Sequence, residues 1–108
     1  MVVEDEYFIA KELVAALEER GAVVVGPVSN VRDAIELVER SERIDAGVLD
    51  VNLQGEMVYP VAEALRRRGV RFVFATGYDA SSIEKTYRDV ARYEKPVEPD
   101  KLVQAMLG

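Results

Sequence analysis

Apolar residues along the chain fall into two alternating kinds of pattern. Short, nearly continuous runs at 2–3, 22–25, 46–49, 72–75 and 91–94 are rich in Val, Leu and Phe. Such runs suit β-strands buried on both faces. Between them, apolar residues recur at helical spacing. Ile9, Leu13, Ala16 and Leu17 form one stripe, and Val31, Ala34, Ile35 and Val38 a second. Val58, Val61, Ala62 and Leu65 repeat it, and Leu102, Val103, Met106 and Leu107 close the chain. The segment 81–90 carries a thinner stripe of Ile83, Tyr87 and Val90. Gly21 and Gly69 stand where the first and third helices should stop, and Asn30 and Ser81 suit helix N-caps. Five strands alternating with five helices predict an α/β fold, a doubly wound parallel sheet with helices on both faces. In such sheets the ligand site lies at the carboxyl ends of the strands.

Composition narrows the function classes. The chain of 108 residues suits one domain, and its 49% hydrophobic and 31% charged content is that of a globular protein. A net charge of −6 argues against a nucleic-acid partner, which would require a basic face. The absence of Cys and His removes disulfides, zinc sites, thiol nucleophiles and histidine acid–base chemistry. No signal-peptide pattern opens the chain and no apolar run approaches bilayer length, so no membrane association is expected and the cytoplasm is the expected location.

The strand ends carry the candidate chemistry. The first strand runs into Glu4 and Asp5, the third into Asp50, the fourth into Thr76 and the fifth into Lys95-Pro96. Each has an ordinary alternative. Glu4 and Asp5 would also suit the positive end of the first helix, and Asp50 a turn. Thr76 could be a turn residue before Gly77, and Lys95 a surface lysine before a loop proline whose peptide bond is cis or trans. Together they make a consistent set. Converging carboxylates raise one another's pKa, and a divalent cation relieves the repulsion. An all-oxygen donor set suits Mg²⁺. Asp50 is then the nucleophile towards a phosphoryl group, with Lys95 and the Thr76 hydroxyl neutralising and binding its oxygens.

At these positions and spacings, Glu4-Asp5, Asp50, Thr76 and Lys95-Pro96 resemble the response-regulator receiver family of two-component signalling, over nearly the whole chain. The resemblance implies a flavodoxin-like sheet of order 2-1-3-4-5. It implies phosphorylation on Asp50 and Mg²⁺ held by Asp5 and Asp50, by Glu4 through water and by the backbone carbonyl of Asn52. Thr76 matches the switch hydroxyl and Lys95 the phosphoryl-binding lysine. The implied partner is a histidine kinase or a histidine phosphotransfer protein, and the implied assembly a monomer or weak homodimer. The segment Arg71-Phe72-Val73-Phe74-Ala75-Thr76-Gly77-Tyr78 resembles the FAT GUY subgroup of single-domain regulators, as does Asp50-Val51-Asn52-Leu53-Gln54-Gly55 with the following Glu56-Met57-Val58-Tyr59-Pro60.

Two departures stand out. Arg92 occupies the place, three residues before the lysine, where many receivers carry a switch aromatic. Tyr93 is one residue off and therefore on the opposite face. Tyr78 is a candidate substitute, with a rim aromatic as its plain alternative. After Asp50 the common Met-Pro turn is replaced by Leu53-Gln54-Gly55, which puts Gln54 near the acceptor, either tuning hydrolysis or as a solvated turn residue.

Residues 1–108 are therefore expected to form one receiver domain with no output domain. It is expected to act as a signalling phosphoacceptor rather than an enzyme, catalysing only its own phosphorylation and dephosphorylation. A pseudo-receiver interaction module is the alternative, although it would need none of Asp50, Thr76 and Lys95. A haloacid-dehalogenase-type hydrolase fits less well, because Asn52 stands where its second Asp would be.

Overall fold

The computed structural model describes residues 1–77, 83–95 and 98–107. Tyr78, Ser81, Pro96 and the side chain of Leu107 lie outside them, so the Tyr78 substitution, the Ser81 cap and the Lys95-Pro96 isomer are not addressed.

Four parallel strands form the main sheet: β1 (Val2–Val3), β2 (Ala46–Asp50), β5 (Arg71–Thr76) and β6 (Arg92–Glu94), paired in the order β1-β2-β5-β6. Between β2 and β5 lies a small antiparallel hairpin of β3 (Asn52–Leu53) and β4 (Glu56–Met57). The helices are α1 (Tyr7–Glu19), α2 (Val31–Arg40), α3 (Tyr59–Arg67) and α4 (Pro99–Leu107).

Strand alternation sorts the core onto two faces. Val2, Val48 and Ala75 pack with Leu13, Leu17, Leu102 and Val103, under α1 and α4. Val3, Leu49 and Phe74 pack with Ala34, Val38, Val61 and Leu65, under α2 and α3. A strand between two helical layers needs apolar residues at every position, which is why its runs are continuous. The helical stripes are buried as expected, Ile9 and Ile35 only partly.

Helix boundaries follow local chemistry. The Asn30 side chain accepts from Asp33 N at 2.8 Å and caps α2. After α1, Gly21 N donates to Glu18 O and Ala22 N to Leu17 O, at 2.9 and 3.1 Å. Gly69 and Val70 repeat this paired closure after α3. Both glycines have positive φ, 85° and 72°, the backbone state that this helix ending requires.

Two expected elements differ. Residues 22–25 form no regular strand. The chain beside β1 bonds it through Val25 O, which accepts from Val2 N at 3.1 Å, and through a parallel bridge between Val28 and Val3. Gly26, at φ 94°, and cis Pro27 intervene. A Cβ on Gly26 would lie 2.9 Å from Val2 O, so the chain hugs β1 too closely for a side chain. Residues 25–28 thus take the place of the second strand, and the sheet keeps the flavodoxin-like order 2-1-3-4-5.

The fourth helix is the other difference. Its described part holds only a 3-10 turn, Lys85–Tyr87, yet Ile83, Tyr87 and Val90 are buried as their spacing predicts. Their anchoring comes from α3 rather than from a continuous helix: Glu84 N donates to Tyr59 Oη at 3.1 Å.

Candidate functional site

Each candidate side chain arrives at the carboxyl edge of the sheet on its own element. β2 runs one residue further than its apolar pattern and ends at Asp50, and β5 likewise ends at Thr76. Glu4 N donates to Val28 O at 3.0 Å, holding the end of β1 in line. Lys95 N donates to Thr76 O at 2.9 Å, so Lys95 is placed by the β5–β6 ladder and not by a free loop.

Lys95 Nζ sits 2.9 Å from Glu4 Oε1 and 3.0 Å from Asp50 Oδ2. Glu4 and Asp50 are 3% and 4% exposed, so one ammonium serves two buried carboxylates. Asp50 is pushed up to about 7, first by burial and then by the neighbouring Glu4 carboxyl, with Lys95 opposing. Burial would lower the Lys95 ammonium, but its bonds to Glu4 and Asp50 outweigh that and raise it.

Backbone donors fix the carboxylates. Glu4 Oε2 accepts from Glu6 N at 3.1 Å, in the turn that precedes α1, while its other oxygen faces Lys95. Asp50 Oδ1 accepts from Asn52 N at 3.3 Å. Asp5 Oδ2 accepts from Gln54 N at 3.0 Å, which straps the β3–β4 hairpin over the end of β1. Asn52 Oδ1 accepts from Gly55 N at 2.6 Å, so that oxygen serves the turn.

Above Asp50 opens a cavity of about 390 Å³, lined by Asp5, Glu6, Asp50, Asn52, Gln54, Gly55, Gly77 and Lys95. Glu4 and Thr76 lie outside the lining, both buried, Glu4 paired with Lys95 and Thr76 bonded through its carbonyl to Lys95 N. The structure therefore brings together Glu4, Asp5, Asp50, Asn52, Thr76 and Lys95. Glu6, Gly55 and the Gln54 backbone are additions that the strand-end argument passed over. The signal for the last two is the Gln54-Gly55 pair, both at positive φ (54° and 93°), the conformation of a two-residue hairpin turn.

The donor set fits a hard cation. Glu4, Asp5 and Asp50 each offer an oxygen, all within 4.8 Å of one another. Glu4 Oε1 is buried and, among the described residues, has no hydrogen-bond partner of acceptable geometry, with the Lys95 ammonium 2.9 Å away. Carboxylates left short of donors in this way are what a divalent ion relieves.

The fold and this site define a receiver domain. The family model for the response regulator receiver domain matches residues 1–107, and the chain belongs to that family. It is similar to the solution structure of SdrG from Sphingomonas melonis Fr1, at 43% identity and a TM-score of 0.84, covering 98% of this chain and 90% of that one. The BeF3-activated conformation of SdrG from Pseudomonas melonis Fr1 matches at 42% identity and TM-score 0.79, with the same coverage. The response regulator PhyR from Brucella abortus matches at 26% identity and TM-score 0.79, over 99% of this chain and 44% of that one. Phe74-Ala75-Thr76-Gly77, the described part of the FAT GUY signature, thus stands in a receiver fold. Among the described residues, no helix is long and apolar enough to cross a membrane.

Proposed function

We propose that this chain is a phosphoacceptor response regulator that takes a phosphoryl group onto Asp50 from a phosphohistidine of a histidine kinase or histidine phosphotransfer protein, in the cytoplasm. The observation that carries this reading is the Asp50 carboxylate at the floor of an open cavity, 3.0 Å from the Lys95 ammonium and flanked by the Glu4 and Asp5 carboxylates. SdrG, 42% identical, has a BeF3-activated conformation. Beryllofluoride is a phosphoryl mimic, which supports an acceptor carboxylate at the matching place here.

An Asp50 oxygen attacks phosphorus, the P–N bond to the donor imidazole breaks, and an acyl phosphate forms. Lys95 neutralises phosphoryl oxygens, and the Thr76 hydroxyl donates to one of them. Asp5, Asp50 and the Asn52 carbonyl would hold Mg²⁺, with Glu4 acting through water. The bound ion supplies positive charge against the equatorial oxygens. Asn52 N and Gln54 N hold Asp50 and Asp5 in place throughout. The chain acts as a switch and catalyses only its own phosphorylation and dephosphorylation.

Incubation with acetyl phosphate, with and without Mg²⁺, followed by intact mass, tests this. One added phosphoryl group in the presence of Mg²⁺, absent from Asp50→Ala, is expected. No gain, or a gain that survives in Asp50→Ala, would leave an interaction module instead.

A further inference from the structure

The segment that replaces the fourth helix is fastened to α3 by a compact latch. The Tyr87 ring stacks on Tyr59, with centroids 5.3 Å apart and planes 4° from parallel. Tyr87 Oη donates to Tyr59 O at 3.4 Å, and Glu84 N donates to Tyr59 Oη at 3.1 Å. Arg66 covers the outer face, its guanidinium 5.0 Å from the Tyr87 ring centre, bonding Thr86 O at 3.2 Å and both Asp89 oxygens at 3.3 Å. Tyr87 is 4% exposed, so the pair is a packed joint and not a surface stack.

Both arms leaving Asp50 reach this joint. Along the chain, the hairpin after Asp50 closes where Val58 N donates to Val51 O at 2.9 Å, and the next residue is Tyr59. Across the sheet, Asp50 pairs with Ala75 of β5. Phe74 and Thr76 flank that position and share one strand face. The Phe74 ring meets Tyr59 at 6.3 Å and Tyr87 at 6.0 Å, both edge to face.

We propose that the Tyr59–Tyr87 stack is the relay that couples the state of Asp50 to the surface of residues 83–90, with the closed latch belonging to the unphosphorylated protein. This inference rests on the phosphoacceptor reading. A phosphoryl group on Asp50 adds negative charge and acceptor oxygens beside the end of β5. Drawing Thr76 towards it moves the β5 end and withdraws Phe74 from the two tyrosine edges, which loosens the stack. Linkage makes the coupling reciprocal, so weakening the stack must favour phosphorylation.

Hydrogen exchange of peptides covering 83–90, read by mass spectrometry on the full chain, tests the relay. With acetyl phosphate and Mg²⁺, exchange there is expected to rise on the order of fivefold. Tyr87→Leu and Tyr59→Phe are expected to raise it without any donor and to tighten the equilibrium binding of beryllofluoride at Asp50. Tyr59→Phe removes only the hydroxyl that accepts from Glu84 N, so it decides the matter if Tyr87→Leu does not fold. Unchanged exchange at 83–90 in protein carrying the phosphoryl group overturns the relay, as do variants that exchange faster yet bind beryllofluoride with wild-type affinity. A wild-type chain that takes no phosphoryl group is a different result: it removes the acceptor reading, and the relay falls with it.

Discussion

Asp50 is held in an environment that favours its neutral form. Its pKa of about 7, against an ordinary 3.8, comes chiefly from burial and from the adjacent Glu4 carboxyl. The folded state therefore binds this proton more tightly than the unfolded chain does. The Asp50 contribution to stability is fully present below about pH 4 and is lost as pH rises through about 7. Asp50→Asn removes the ionisation without removing the bulk. In chelator, the variant is expected to melt near the wild-type temperature at pH 4.5 and clearly above it at pH 7.5. Thermal melts of the two proteins across that range check this. A constant difference would mean that Asp50 is ionised at little cost, and that Lys95 alone balances both carboxylates.

At the scale of elements, α1 to α4 were legible because amphipathic spacing and terminal glycines are local signals, whereas the stripe at 83–90 marked a buried segment that holds only a 3-10 turn. Gly21 and Gly69 end α1 and α3 where expected, and Asn30 caps α2. Residues 22–25 show the limit of that approach. An apolar run identifies a segment that must be buried, but a ladder also needs partners, and β1 offers two residues and a close approach at Gly26. Gly26→Ala tests how much this edge matters. A Cβ would meet the Val2 carbonyl, and φ of 94° is unfavourable for alanine, so a loss of about 2 kcal/mol is expected. For a domain of this size that lowers the melting temperature by roughly 8–16 °C. The β3–β4 hairpin is the opposite case: its Gln54-Gly55 turn was visible in sequence, but its strap to Asp5 was not, because the Gln54 N contact spans 49 residues.

Over the whole molecule, four elements from separate parts of the chain converge on one acidic cavity, so ligand binding there acts on the stability of the entire fold. Binding to the folded state alone raises its stability by RT ln(1 + [L]/Kd). Millimolar Mg²⁺ is therefore expected to raise the melting temperature at pH 7.5, less at pH 5, where Asp50 is largely protonated, and least in Asp50→Asn. Thermal melts with Mg²⁺ and with chelator check it. An equal shift in Asp50→Asn would place the ion elsewhere.

The sequence by itself determined which segments are buried, most of the alternating elements and the polar residues that emerge at four of the strand ends. These depend on periodicity, on glycine conformation and on the rule that buried strands are apolar throughout. The same residues carry the receiver pattern in their spacing. Only the tertiary structure decided that Lys95 is shared between Glu4 and Asp50, that residues 25–28 bond β1 around Gly26, and that Tyr87 stacks on Tyr59. Each of these joins residues far apart in the chain, at distances set by sheet register and helix packing. Residue spacing along a chain carries no direct record of such contacts, because they form only when separate elements are brought together.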